Sequence, residues 1–336
     1  MRICQILAGD EEGGLEKHFE ELSNRLASYH EIHVIAHEKY RKRFDPKIIF
    51  HPLDLSRGRR NIIMLYQLYR LINHIKPDIV HAHANKAVTM IASIKRFLHP
   101  SIKLIATLHS KKRKLASFEK FDYVIGVSME VLKELKNPYQ SVIYNGIAWQ
   151  PKEKNRQFLT EFGIHGDEFV VCGIGRLEAV KNFTLLIHAL KDSPAKLLIV
   201  GDGSERQKLQ ELAKKLSIEE KVIFTGFRTD VENILVNCDL MAISSEREGF
   251  SYVFVEALLN SVPVVSTEVS DYKHFIPPKY IVPIGDRARF IEIVKYSIEH
   301  SMDMQKDFQK SFSYAQENFT LEAMVKKTLK IYDKVK

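Results

Sequence analysis

Two glutamates, Glu248 and Glu256, stand eight residues apart in EREGFSYVFVEALLNSVPVV, with Gly249 and Phe250 directly after the first. A carboxylate accepts two hydrogen bonds at once, so two of them around a turn suit a ligand that carries a diol on each side of an anionic group. The stretch has one arginine and no lysine, unlike a solvated helix face. A buried strand, LMAISS, precedes it, and a helix is predicted to begin near Phe250 or Ser251. The peptide N–H groups of Phe250, Ser251 and Tyr252 would then offer the anion a seat.

Arg176 and Lys181, five residues apart in VVCGIGRLEAVKNFTLLIHAL, lie in another turn before a helix. A guanidinium fork and an ammonium there could converge on a diphosphate, although a pair of exposed cations reads equally well. The same strand end fails the dinucleotide fingerprint, because Glu178 occupies the third glycine position. Gly13 and Gly14 follow the first strand and open the first long helix, where a ligand could approach the backbone. First-half strands end in histidines. His81 and His83 alternate onto one face without a third ligand at a telling spacing, so a structural role is the better reading. His109 directly precedes Lys111, Lys112, Arg113 and Lys114 and is predicted to face the same region as Gly14. No Asp-x-Asp occurs, which removes the usual carboxylate pair for a metal-bridged diphosphate. No metal and no cofactor are expected, and charge is left to Arg176, Lys181 and helix ends. A nucleotide-sugar has the shape that these groups together would hold.

These residues need elements to carry them, and 336 residues suffice for two domains with separate cores. Short aliphatic runs alternate with helical patterns from end to end, then the pattern begins again after WQPKEKNRQ. The expected fold is α/β, with two doubly wound parallel-sheet (Rossmann-like) domains facing a central cleft. They span 1–150 and 151–318. Periodicity does not say which domain the last amphipathic helix, in FTLEAMVKKTLKIYDKV, packs upon. Three cysteines without metal-like spacing and the lack of a run of about 18 apolar residues predict a cytoplasmic protein.

Charge divides unevenly. Residues 1–150 carry 24 Lys+Arg against 15 Asp+Glu, and the remainder 26 against 27, so the first half is +9 and the second −1. Clusters at Arg41–Arg43, Arg57–Arg60 and Lys111–Lys114 suit an anionic partner such as a membrane surface or a phosphorylated lipid. They lack the interleaved aromatics of a base-stacking surface, so no nucleic acid is expected.

Gly175-Arg176-Leu177, Lys181-Asn182, Gly201-Asp202-Gly203, Phe224-Thr225-Gly226 and Glu248-Gly249-Phe250 with Glu256 resemble, in order and spacing, the motifs of retaining glycosyltransferases of family 4, with the GT-B fold. The resemblance implies that Arg176 and Lys181 neutralise the donor diphosphate, Glu256 holds the ribose and Glu248 contacts the donor sugar. It places His109 beside that sugar, Phe227 and Arg228 at the nucleobase, and the Phe250–Tyr252 backbone and Gly13-Gly14 around phosphate and sugar. It also implies that the helix from about 319 to 336 returns to the first domain. Ser251 replaces the family's usual glycine, and EVSDYKHFI lacks its frequent glycine pair. The implied activity is metal-independent hexosyl transfer, with UDP-sugar favoured by family frequency. The implied acceptor is a phosphorylated or lipid-linked saccharide, such as lipopolysaccharide core, met at the inner membrane face through Lys111–Lys114. Rival readings are a nucleotide-sugar epimerase, which needs no acceptor, and a basic protein that binds membrane or nucleic acid.

Overall fold

The run RICQIL is buried at every position after its arginine, as expected for a parallel strand covered by helices on both faces. A computed structural model describes residues 1–9, 13–55, 58–112 and 114–336. The chain divides into two units, Met1–Ala148 with Thr320–Lys336, and Trp149–Phe319. In unit 1 the strands are β1 (Arg2–Leu7), β2 (Glu31–Ala36), β3 (Ile49–Pro52), β4 (Ile79–His83), β5 (Lys103–Leu108), β6 (Tyr123–Gly126) and β7 (Gln140–Val142), in the spatial order 3-2-1-4-5-6-7. In unit 2, β8 (Val170–Ile174), β9 (Lys196–Val200), β10 (Val222–Gly226), β11 (Leu240–Ile243), β12 (Val264–Thr267) and β13 (Ile281–Val282) follow the order 10-9-8-11-12-13. Pairing is parallel in both sheets.

Helices join the strands: α1 (Gly14–Leu26), α2 (Ile62–Ile75), α3 (Ala84–Ile94) and α4 (Met129–Leu132) in unit 1. Unit 2 has α5 (Phe183–Ala189), α6 (Arg206–Lys215), α7 (Val231–Asn237), α8 (Tyr252–Leu259), α9 (Arg287–Glu299), α10 (Ser301–Asp307) and α11 (Gln309–Asn318). The last helix, α12 (Leu321–Val335), belongs to unit 1. It buries Leu321, Met324, Val325, Thr328, Ile331 and Tyr332, at helical spacing, in the core that also holds Phe19 and Ile79. Thr320 caps it by accepting from the Ala323 N–H, and the Leu321 N–H donates to the Ile147 carbonyl at 2.8 Å. Gly146 permits this return: a Cβ there would stand 2.2 Å from the Thr320 carbonyl oxygen.

Tyr332 also completes a polar chain inside the unit. Gln5 on β1 donates from Nε2 to the Tyr332 hydroxyl at 2.8 Å, and that hydroxyl shares a 2.7 Å hydrogen bond with His81 Nδ1. His81 Nε2 shares a 2.7 Å hydrogen bond with Thr107 Oγ1, while Gln5 Oε1 accepts from His83 Nε2 at 2.7 Å. All five side chains are buried. Tyr332→Phe would strand Gln5 Nε2 and His81 Nδ1, at a cost of about 1–3 kcal/mol for each unsatisfied group. Urea denaturation followed by circular dichroism should show that loss in unit 1. An unchanged midpoint would rule out the buried chain.

Candidate active site

In unit 2 the turn after β8 carries Arg176 and Lys181, and the neighbouring turn after β9 supports it. Gly201, at φ +133°, lies so close to the first turn that a Cβ would come within 2.0 Å of the Gly175 carbonyl oxygen. The Leu177 N–H donates to the Asp202 carbonyl at 2.9 Å, binding the two turns together. Arg176 and Lys181 then part company. The Arg176 side chain is 72% exposed and pairs with Glu178 at 2.9 Å. Lys181 is mostly buried, with its Nζ 2.5 Å from Glu248 Oε1. The expected convergence of the two cations is therefore not the arrangement seen, because each has found a separate carboxylate.

Glu248 is held from a second side by Ser245 Oγ at 2.8 Å, and Ser244 Oγ donates to the Lys181 carbonyl at 2.8 Å. These serines close β11, and together with Lys181, Glu248 and Ser251 they line a concavity at the carboxyl edge of the sheet. Sequence reasoning did not single them out as site residues, although a Ser-Ser pair ending an apolar strand was the available signal.

The helix after Glu248 starts at Tyr252, one or two residues later than predicted. Ser251 is its cap: the hydroxyl accepts from the Phe254 N–H and shares a 2.7 Å hydrogen bond with the Tyr272 hydroxyl. The Ser251 N–H, expected to seat an anion, donates to that same tyrosine at 3.2 Å. The anion seat is therefore smaller than predicted. Tyr272 is fully buried and stacks on Phe254 with ring centroids 4.0 Å apart. Burial, reinforced by the Glu248 charge, raises its pKa above the ordinary value. Ser270 Oγ donates to the Gly249 carbonyl. The two departures from the family pattern, Ser251 and the Asp271-Tyr272 segment, thus meet each other.

Other candidates in this unit divide between core and surface. Phe250 is a core residue ringed by Phe254, Tyr272, Phe275 and Phe319. Glu256 is buried on α8. Phe227 is 80% exposed, so its ring is available to a flat partner. Arg228 is held by Asp230 at 2.7 Å and Glu161 at 2.8 Å and lies over the Phe162 ring.

In unit 1, Gly13 caps α1 and Gly14 begins it. The helix presents His18 to His109, with ring centroids 4.7 Å apart and nearly perpendicular planes. His83 completes the group, 5.7 Å from His18 and 5.8 Å from His109. The pair at 81 and 83 showed no third ligand by spacing, yet folding brings two more histidines to His83. His18 was overlooked. Burial lowers the pKa of His18 to about 4 and of His81 to about 3. It holds His83 and His109 well below the ordinary value, with neighbouring histidines adding to the effect.

The basic run is less free than its sequence suggests. Lys111 is paired with Glu130 at 2.8 Å and Glu134 at 3.8 Å, while Lys112 and Lys114 are exposed. Arg113 and Arg57 lie outside the described residues. A different surface was missed: α2 exposes Ile62, Ile63 and Tyr66 by 81, 68 and 56%. Arg59 and Arg60 precede these residues and are exposed. Arg70 lies over the Tyr66 ring, and nearby Phe97, half exposed, has Arg96 over its own ring. Among the described residues, no helix is long and apolar enough to cross a membrane.

Residues 154–313 match the family model described as Glycosyl transferases group 1, and residues 12–148 match Glycosyltransferase Family 4. The chain belongs to these glycosyltransferases. This glycosyltransferase is 28% identical over 302 residues to N-acetyl-alpha-D-glucosaminyl L-malate synthase of Bacillus anthracis, with 79% of each chain covered. It is 22% identical over 294 residues to the O-antigen biosynthesis glycosyltransferase WclY of Escherichia coli, covering 78% of this chain and 81% of that one. The fold is similar to Anabaena Alr3699/HepE, solved in complex with UDP, with a TM-score of 0.86 at 18% identity over 99% of this chain and 100% of that one. Both sheets accord with the GT-B architecture.

The histidine group makes the glycosyltransferase acid-sensitive. Its folded-state pKa values are depressed, so the unfolded chain binds more protons below about pH 6.5 and folding stability rises with pH. The stability of unit 1 is therefore complete above that pH. It falls as the pH drops toward about 4, the value for His18. Each histidine contributes up to about 1.4 kcal/mol per pH unit. Unfolding midpoints between about pH 6.5 and 5.5, where unfolded carboxylates have barely begun to titrate, should decline steadily. A flat profile there would contradict neutral buried histidines.

Proposed function

We propose that this glycosyltransferase moves a hexosyl group from a nucleotide-sugar, preferentially a UDP-sugar, to a phosphorylated or lipid-linked saccharide, with retained configuration, in surface-glycan synthesis. The observation that carries the reading is the junction of Lys181 with Glu248, 67 residues apart in the chain, at the carboxyl edge of unit 2. The complex of Anabaena HepE with UDP supports the donor class, and the similarity to WclY supports a surface glycan. In the reaction the bond from the anomeric carbon to the diphosphate oxygen breaks while the acceptor hydroxyl forms a new bond on the same face. The acceptor proton passes to the departing phosphate. Lys181 exchanges Glu248 for the phosphates and, with Arg176, stabilises the charge that develops there. Glu248, still held by Ser245, is then available to sugar hydroxyls, and Glu256 to the ribose. Two cations and a helix end supply this neutralisation, so no metal is needed at the diphosphate.

Lys181→Ala and Arg176→Ala should each reduce UDP release from the preferred UDP-sugar by about two to three orders of magnitude, the scale of one lost transition-state contact. Wild-type rates from both would defeat the assignment. A panel of UDP-, GDP- and ADP-sugars should raise the melting temperature most with one UDP-sugar, as expected for a ligand that binds only the folded chain. No shift with any member would reopen the donor class. A free altered sugar released from that donor without any acceptor would instead establish the epimerase.

The acceptor side is unit 1, met at an anionic membrane. The apolar and basic face of α2 suits an interfacial helix better than the partly paired lysines at 111–114 do. At low salt the protein should sediment with phosphatidylglycerol-rich vesicles and not with neutral ones, and Ile62→Glu with Ile63→Glu should abolish this. Absence of sedimentation by the wild type would remove the membrane from the proposal.

A further inference from the structure

One ring nitrogen from each of His18, His83 and His109 lies within 4.8 Å of one from each of the others. Hydrogen bonds decide which nitrogen two of these histidines, His18 and His83, have to offer. His18 Nδ1 donates to Asn145 Oδ1 at 3.1 Å, which leaves a lone pair on Nε2. His83 Nε2 donates to Gln5 Oε1 at 2.7 Å, which leaves a lone pair on Nδ1. His83 Nδ1 and His109 Nε2 are buried and have no hydrogen-bond partner. His81 takes no part, since both of its nitrogens are engaged by Tyr332 and Thr107.

A buried nitrogen left without a partner costs about 1–3 kcal/mol, and two such atoms sit in one group of three imidazoles. A cation would satisfy both, with the His109 proton on Nδ1. We infer that His18, His83 and His109 form a binding site for a first-row divalent transition ion of the zinc class. Imidazole nitrogen suits zinc, and cobalt, nickel and copper compete for the same donors, whereas magnesium and calcium take oxygen ligands. Asn145 and Gln5 play the outer part usual for such ligands: each holds the far nitrogen of a histidine and fixes its tautomer. The three ligands come from α1, the end of β4 and the turn after β5. Tetrahedral zinc with bonds of about 2.0–2.1 Å needs its nitrogens about 3.3 Å apart, so the rings close by roughly one ångström or more. Three neutral ligands leave the ion its full charge and one open position for an oxygen ligand. This site lies in unit 1 and lacks carboxylates, so it is not the metal-bridged diphosphate arrangement that the sequence argues against.

The full-length protein, stripped with a chelator and titrated with zinc alone by calorimetry, should take up about one equivalent. His18→Gln and His109→Gln should each weaken binding by about tenfold or more, Asn145→Ala by about 10- to 100-fold, and His274→Gln in unit 2 not at all. Zinc-edge X-ray absorption of the loaded wild type, which needs no variant, should show three imidazole ligands. Uptake well below one equivalent, affinity unchanged in both histidine variants of native circular dichroism, or a spectrum with sulfur or fewer than three imidazoles would each overturn the site.

Discussion

Parallel pairing is the constraint from which the rest follows. When neighbouring strands run the same way, their carboxyl ends emerge at one edge, and the turns that leave them lie side by side. In unit 2 this brings the turns after β8, β9 and β11 together, although their residues are far apart in sequence. The turn after β9 fits because Gly201 has no side chain to strike the Gly175 carbonyl. The turn after β11 delivers Ser244, Ser245 and Glu248 to Lys181. In unit 1 the same geometry sets His83 beside His109 and lets α1 lean His18 against both.

The two edges solve opposite electrostatic problems. Unit 2 holds opposite charges partly buried against each other, an arrangement in which removing either partner leaves a costly uncompensated charge. Unit 1 holds rings that burial keeps neutral, and the protons of His18 and His83 are assigned by amide oxygens. One edge stores charge, and the other excludes it.

The strands themselves, the repeated α/β pattern and the acid and basic turns were legible in the chain because each depends on local periodicity or motif spacing, whereas the spatial order of the strands was not. What escaped depended on contacts between distant segments. Tyr272 reaches Ser251 across 21 residues, and no pattern in EVSDYKHFI marks its hydroxyl as a partner for a helix cap. His18 sits on the buried face of α1 with Phe19 and Leu22, so the helical period did place it inside. Its neighbours are set only once β4 and β5 lie beside β1. The amphipathic pattern of α12 fits any apolar groove, so its return to unit 1 came from the resemblance and not from periodicity. Its destination depends on Gly146 and on the hydroxyl of Tyr332.

That destination has a consequence for how the protein is made. Residues 149–319 form a contiguous unit, whereas the first unit lacks α12 until residues 321–335, which follow the whole of the second unit, have been synthesised. Domains generally fold as they emerge, the amino-terminal one first. Here the order is reversed at the last step: the second unit can close while the first still carries an open hydrophobic groove and unsatisfied Gln5 and His81. Until then residues 1–148 are an unfinished receptor, and the missing ligand is α12.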